Sequence, residues 1–367
     1  MLIGICGARC AGKTTVAQYL VEHHGFKKLY LENPKPGQAQ NGLLQPETNG
    51  TQPAPERPAS TAAEEDGWAA TRDLAVRPKR AVALPSYTFA SAGDLLDFVT
   101  KHWRSRWVTT DIHSEAVLDA LSRRPFFILI SVDAPVTVRW RRHRARREPA
   151  ISLEDFVAES DAHLYDPEAG ALPLMARAAI RLLNTADSLA HLYATLGKLD
   201  LADGDRLRPS WDSYFMALAS LAARRCNCMK RAVGCVLIDG KRRVISTGYN
   251  GTPRNLTNCM EGGCPRCNAG DAASGVSLAT CLCLHAEENA LLEAGRERIR
   301  DGSVLYCNTC PCLTCSIKIV QVGISEVVYS QGYSMDRETA RVFLSAGVKL
   351  RQFSPPADGL IHLEMME

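Results

Sequence analysis

LHAEENA (Leu284–Ala290) and TCPCLTC (Thr309–Cys315) are the two stretches on which the reading of this chain turns. In the first, Glu287 follows His285 by two residues; in the second, Pro311 precedes Cys312 and Cys315. The spacing predicts that His285 opens one helix and that Cys312 and Cys315 open the next. Three residues apart on a helix, the two cysteines share a face. A helix N-terminus favours negative charge, which holds both sulfurs ready as thiolates. One imidazole and two thiolates make three ligands, whereas zinc takes four. A zinc with three protein ligands keeps a position for water and is of the catalytic kind. Glu287 cannot easily share the ligand direction of His285, but it can reach that water and move its proton.

A structural zinc ribbon built from the cysteines is the plainer alternative. It needs neither Glu287 nor Pro311, and it leaves unexplained why the single His between Cys226 and Cys315 stands two residues before a Glu. His-x-Glu followed by Pro-Cys-x-x-Cys is instead the pattern of zinc deaminases that act on nucleobases.

Outward from these stretches the pattern is α/β. Ser210 reads as an N-cap, followed by Trp211, Tyr214, Phe215, Leu218, Leu221 and Ala222 at helical spacing. Strand-like runs follow at 233–238 and 244–248, then a cysteine-rich loop at 258–283. After the helix of 285–295 come a strand at 304–306, a helix at 312–321, a strand at 326–329, a helix at 336–346 and a strand at 348–351. The order α-β-β-α-β-α-β-α-β predicts five strands with helices to cover both faces.

The chain has 367 residues, enough for two domains. Its net charge of +3 is too small to imply nucleic acid or an anionic membrane as partner, and no apolar run is long enough to span a bilayer. The N-terminus lacks a basic region and a small-residue cleavage site, so it does not read as a signal peptide. Of 14 cysteines, Cys6 and Cys10 lie near the start and the rest between Cys226 and Cys315. Without a secretion signal, such clustering points to metal or catalysis rather than disulfides. The expected location is cytoplasmic, with the arginine run near residue 140 as a nuclear-import alternative.

GARCAGKT, Gly7 to Thr14, fits the phosphate-cradling loop G-x-x-x-x-G-K-T between a predicted strand (2–6) and a helix. Gly7 and Gly12 allow the turn, Lys13 would meet phosphate charge, and Thr14 would hold Mg²⁺. Residues 33–85, rich in Pro, Gly, Gln, Thr, Ala and Glu, read as a disordered insertion. Structure resumes with strands at 106–110 and 126–132. Near Asp200–Ser210 a boundary divides an N-terminal P-loop, nucleoside-kinase-like α/β domain (1–200) from a zinc-dependent domain (201–367). Asp111 is the nearby acid suited to metal or acceptor work. The first domain fits an active kinase, a nucleotide-binding regulatory unit or a fold kept for packing; its insertion sits where an acceptor pocket should be, which favours binding over transfer.

From Pro209 onward the chain resembles the deoxycytidylate (dCMP) deaminases, and among them the fungal forms with an N-terminal extension. The residues that carry this are RPSWDSYFMALASLAARRCNCMKRAVGCVLI, STGYNGTPRNLTNC, GGCPRCN, CLCLHAEENALLEAGR and TCPCLTCSIKIVQVGISEVVYSQGY. The resemblance implies a cytidine-deaminase-like α/β/α sandwich with a five-stranded mixed sheet. It implies hydrolysis of dCMP to dUMP and ammonia, with the dUMP serving thymidylate synthesis. His285, Cys312 and Cys315 would be zinc ligands and Glu287 the proton shuttle. Asn250, in a GYNG turn that is otherwise plain turn chemistry, would bind the sugar hydroxyl. The wider loop would join a site between subunits of a homo-oligomer, where dCTP with Mg²⁺ activates and dTTP inhibits. Relatives also carry a second, structural zinc; Cys228, Cys259, Cys264 and Cys281 are the expected four here, with Cys267 and Cys283 as substitutes. Cys235 is read as core, and Cys226 as a small buried residue. The stretch ISVDAPVTVRWRRHRARR resembles the lid of nucleoside-monophosphate or dephospho-CoA kinases, with Arg139, Arg142 and Arg146 as phosphate clamps and ATP as the nucleotide. The alternatives are a polynucleotide or other nucleotide deaminase, or a bifunctional deaminase and nucleotide kinase. The first needs a basic, aromatic-lined channel; here the basic residues sit among acids, which suits a mononucleotide.

Overall fold

The computed structural model describes residues 1–32, 87–146, 151–269, 280–332, 336–355 and 359–363. The insertion expected at 33–85 lies outside them. Twelve strands form two sheets among the described residues. The first takes β1 (Leu2–Gly7), β2 (Lys27–Leu31), β3 (Tyr87–Phe89), β4 (Trp107–Thr109), β5 (Phe127–Asp133), β6 (Ile180–Leu183) and β12 (Gly359–His362), in the order β12-β6-β5-β1-β4-β2-β3. Each neighbouring pair is parallel. Leu2, Ile3 and Ile5 of β1 are fully buried. A parallel strand covered on both faces is continuously apolar for this reason. β1 lies between β4 and β5, so the connections diverge at its carboxyl end, where open α/β sheets form a crevice.

The second sheet takes β7 (Gly234–Ile238), β8 (Val244–Tyr249), β9 (Val304–Thr309), β10 (Glu326–Gln331) and β11 (Lys349–Gln352), in the order β11-β10-β9-β7-β8. β7 runs antiparallel to β8 and β9, while β9, β10 and β11 are parallel. The five strands expected from the pattern are therefore present, in a mixed sheet as the resemblance implies. Its faces are covered separately. The helix Trp211–Ala223 packs Phe215, Met216 and Ala219 against Val236, Ile238, Tyr306 and Val328. The helices Ala286–Ala294, Leu313–Val322 and Asp336–Ser345 cover the opposite face, where Cys235, Leu237, Leu305 and Val327 meet Ala290, Ile319 and Phe343. Ser210 caps the first of these helices, its hydroxyl accepting from Ser213 N at 3.3 Å. Arg351 on β11 holds the adjacent Asp212 through two hydrogen bonds (2.6 and 3.0 Å) and reaches Glu326 on β10 at 2.9 Å.

One pairing was not readable from the pattern. The sequence placed everything beyond 201 in the zinc domain, yet β12 pairs with β6, register Gly359↔Ile180 to His362↔Leu183. Ile361 and Leu363 are buried in the first sheet's core. The strands β2, β3 and β6 also lay outside the sequence reading. Among the described residues no helix is long and apolar enough to cross a membrane.

Two glycines set the thickness of the second layer. A Cβ on Gly234 would collide with backbone of Ala219 and Ala223 on one face, and a Cβ on Gly248 with backbone of Ala286 and Ala290 on the other. Neither has a positive φ, so space rather than conformation selects glycine. Gly248→Ala is expected to destabilise the chain by about 1–3 kcal/mol, the usual range for overpacking. Urea unfolding of wild type and variant measures this, and equal midpoints with equal slopes would show that the helix can retreat at no cost.

Candidate active site

The site is built from two helix beginnings. His285 is the N-cap of Ala286–Ala294 and Cys312 the N-cap of Leu313–Val322, both in extended backbone conformation. Each gives its carbonyl to the first helical hydrogen bond, from Asn289 N and Ser316 N, both at 2.9 Å. His285 Nδ1 lies 3.4 Å from Cys312 Sγ and 3.3 Å from Cys315 Sγ. These three ligand atoms lie within 4.8 Å of one another. Soft thiolates with an imidazole are a donor set suited to zinc, and three of them leave its fourth position open. The residues therefore fit a catalytic zinc, with Nδ1 the ligating nitrogen.

Glu287 stands on the same first turn, only 4 % exposed. Burial pushes its carboxyl up to about 7. Cys235 and Cys307, fully buried, face each other across β7 and β9, which confirms Cys235 as core. The Cys312 thiol is lowered to about 3, chiefly by its hydrogen bond with Cys315 and then by His285. The hydrogen bond with Cys312 and burial raise that of Cys315.

Several supports were not singled out by the sequence reading. Thr314 Oγ1 lies 3.1 Å from Cys312 Sγ. Thr339 Oγ1, on the following helix, donates to Pro311 O at 3.0 Å and so fixes the turn before the cysteines. Asn289 Nδ2 donates to Tyr249 O at 2.9 Å, tying the His285 helix to β8. A threonine two residues past a ligand could have been noticed; Thr339 could not, because its partner lies 28 residues away.

Asn250 is 6 % exposed and bonded to the backbone, accepting from Val233 N at 2.9 Å and donating to Arg231 O at 2.6 Å. Asn308 grips the same segment through Gly234 N and Ala232 O. Asn250 keeps one N–H and one lone pair for a further partner. The turn it begins is joined to the metal site, since Gly251 and Leu284 exchange hydrogen bonds of 3.2 and 2.9 Å immediately before His285.

The four cysteines expected for a second zinc do not close as one set. Cys228 and Cys259 group with Cys267 and Cys283; Cys264 and Cys281 group with the same Cys267 and Cys283. The two read as substitutes are thus at the centre. Loop closure, which spacing does not encode, decides this. Cys226 is half-buried and in neither set.

In the first sheet the Gly7–Thr14 loop leaves β1 at the sheet's crevice. Gly7 and Gly12 take positive φ, as does Cys10. Lys13 Nζ donates to Gly7 O and Ala8 O at 2.8 and 3.0 Å. A cavity of ≈ 240 Å³ opens over the loop, lined also by Arg146. Arg139 and Arg142, two of the arginines expected as phosphate clamps, bond within the protein. Arg139 is buried on Ala134 O and Ser160, and Arg142 is spent on the carbonyls of Ala11, Asn184 and Ala186. Asp111 accepts from Leu31 N at 3.0 Å.

Comparison with known proteins gives the same centre a family. The cytidine and deoxycytidylate deaminase zinc-binding region matches residues 209–331. A deoxycytidylate deaminase of Schizosaccharomyces pombe is 45 % identical over 98 % of this chain and 99 % of its own length. The chain belongs to the deoxycytidylate deaminase family. Another member, from Saccharomyces cerevisiae, is 50 % identical over 71 % of this chain and 85 % of its own length. Among solved structures, the dCMP deaminase of cyanophage S-TIM5 in complex with dCMP and dUMP is 29 % identical over 40 % of this chain and 98 % of its own, with a TM-score of 0.33. The matched residues include His285, Glu287, Cys312 and Cys315.

Proposed function

We propose that this chain hydrolyses dCMP to dUMP and ammonia at the site formed by His285, Glu287, Cys312 and Cys315. The observation that carries it is a buried, largely desolvated carboxylate beside a three-ligand zinc set, in a chain whose full length matches a deoxycytidylate deaminase. Zinc, when bound, is a Lewis acid that makes water nucleophilic near neutral pH. Glu287 does the proton work. As carboxylate it takes a proton from the water that attacks C4 of cytosine; as acid it returns protons to the ring nitrogen and the departing amine. A carboxyl near neutrality suits both directions. Glu287→Gln should keep zinc and lower kcat by about 10²–10⁴-fold. Zinc analysis and turnover on one sample test this, and full activity in the variant would overturn the role.

We further propose that Asn250 contacts the deoxyribose hydroxyl and that its turn takes part in regulation, dCTP with Mg²⁺ raising and dTTP lowering the apparent affinity for dCMP. Support comes from the Gly251–Leu284 pairing, which links that turn to His285. Velocity curves against dCMP with each effector test it; curves that neither nucleotide moves would sink it.

The first sheet is proposed to bind Mg-ATP at Gly7–Thr14 without rapid phosphoryl transfer. Support comes from the loop's position at the crevice, the clear cavity and the partly buried Lys13. Thr14 would hold the Mg²⁺. Of the three expected clamps only Arg146 faces this cavity, and transfer needs more than a cradle. Mg-ATP should raise the Tm of the full chain but not of Lys13→Ala. An equal response of both would discard the site, and fast Lys13-dependent phosphorylation of dCMP, dUMP or dTMP would make the protein bifunctional.

A further inference from the structure

Six cysteines outside the catalytic centre form a cluster whose arithmetic does not fit one metal ion. Cys228, Cys259, Cys267 and Cys283 bring their sulfurs within 4.8 Å of one another, and so do Cys264, Cys267, Cys281 and Cys283. Neighbouring sulfurs stand 3.8 Å apart (Cys228–Cys267), 3.9 Å (Cys264–Cys281), 3.6 Å (Cys267–Cys281) and 4.0 Å (Cys267–Cys283). A tetrahedral zinc with Zn–S of about 2.3 Å holds its sulfurs about 3.7–3.8 Å apart. These spacings therefore match edges of a zinc–thiolate tetrahedron and are too long for disulfide bonds. One ion in either set would leave two cysteines out, either Cys264 with Cys281 or Cys228 with Cys259, although all four have their sulfurs within 4.8 Å of those of Cys267 and Cys283. Two separate four-cysteine sites would need eight sulfurs.

We propose that the cluster binds two zinc ions, with Cys267 and Cys283 as bridging thiolates and the other four cysteines as terminal ligands. Two Zn²⁺ displace the protons of six thiols, and six negative thiolates against four positive charges leave a net charge of −2. Donors already surround the sulfurs. Met229 N points to Cys259 Sγ and Leu282 N to Cys264 Sγ, each at 3.4 Å, and Arg266 lies 3.8 Å from Cys281 Sγ and 4.0 Å from Cys267 Sγ. These relieve excess negative charge on the terminal and bridging sulfurs. The cluster gathers the segment after the Trp211–Ala223 helix, the 259–267 loop and the stretch 281–283, and its last bridging ligand stands two residues before His285. It therefore anchors the entry to the catalytic helix.

The test uses the full chain purified under reducing conditions. Zinc analysis should give about three ions per chain, and His285→Ala should keep about two. Cys283→Ser should lose both cluster ions, whereas Cys281→Ser should lose no more than one. Should these variants fail to fold, ¹¹³Cd-substituted wild-type protein decides alone: two cluster resonances split by mutual coupling through bridging sulfur are expected. One cluster ion per chain, iron in place of zinc, or two uncoupled cadmium signals would overturn the proposal. The count in His285→Ala is independent of whether the catalytic site deaminates dCMP, so either reading can fail without the other.

Discussion

The catalytic centre depends on two helix N-termini meeting closely enough for His285 Nδ1 to lie 3.3–3.4 Å from two cysteine sulfurs. Helix beginnings are suited to this. Their unsatisfied N–H groups and positive dipole ends stabilise thiolates, and cap residues can turn their side chains away from the helix without losing the first backbone bond. Both Cys312 and His285 use that freedom, while Cys315 and Glu287 sit on the first turns behind them. Burial of Glu287 follows from the same geometry, since the helix that presents it lies directly on β8.

That closeness is set by what the sheet lacks. Gly234 and Gly248 open flat strips on opposite faces of adjacent strands, so a helix backbone can rest on each without a side chain between. A larger residue at Gly248 would lift the Ala286–Ala294 helix, and the imidazole with it. Ångström-scale precision at the metal set is thus secured by close backbone packing, by Asn289 on Tyr249 and by Thr339 on Pro311.

Local chemistry was legible in the sequence, and long-range closure was not. His285, Glu287, Cys312 and Cys315 lie within two short stretches whose helical starts follow from caps and spacing, and the five strands of the second sheet follow from apolar runs between turns. The cysteine cluster shows the limit. Six candidates were visible, but which sulfurs lie centrally depends on how three loops fold together. Arg139 and Arg142 show it again: a run of arginines looks like a phosphate clamp until the carbonyls around it are placed. Asn250 lies between, since a turn residue can be recognised from its neighbours while its grip on residues 231 and 233 cannot.

The last strand carries the same lesson to the scale of the chain. β12 comes after the whole deaminase layer, yet it forms the edge of the first sheet by pairing with β6, and Ile361 and Leu363 fill that sheet's core. An edge strand carries no pattern of its own in a segment of four residues, so only the partner reveals it. A cut at residue 200 would therefore expose β6 and its apolar flank. The two sheets are then separate in chemistry but not in covalent order. The chain leaves the first, builds the second, and returns to complete the first, so the sheet of the glycine-loop half includes residues that follow the entire zinc half.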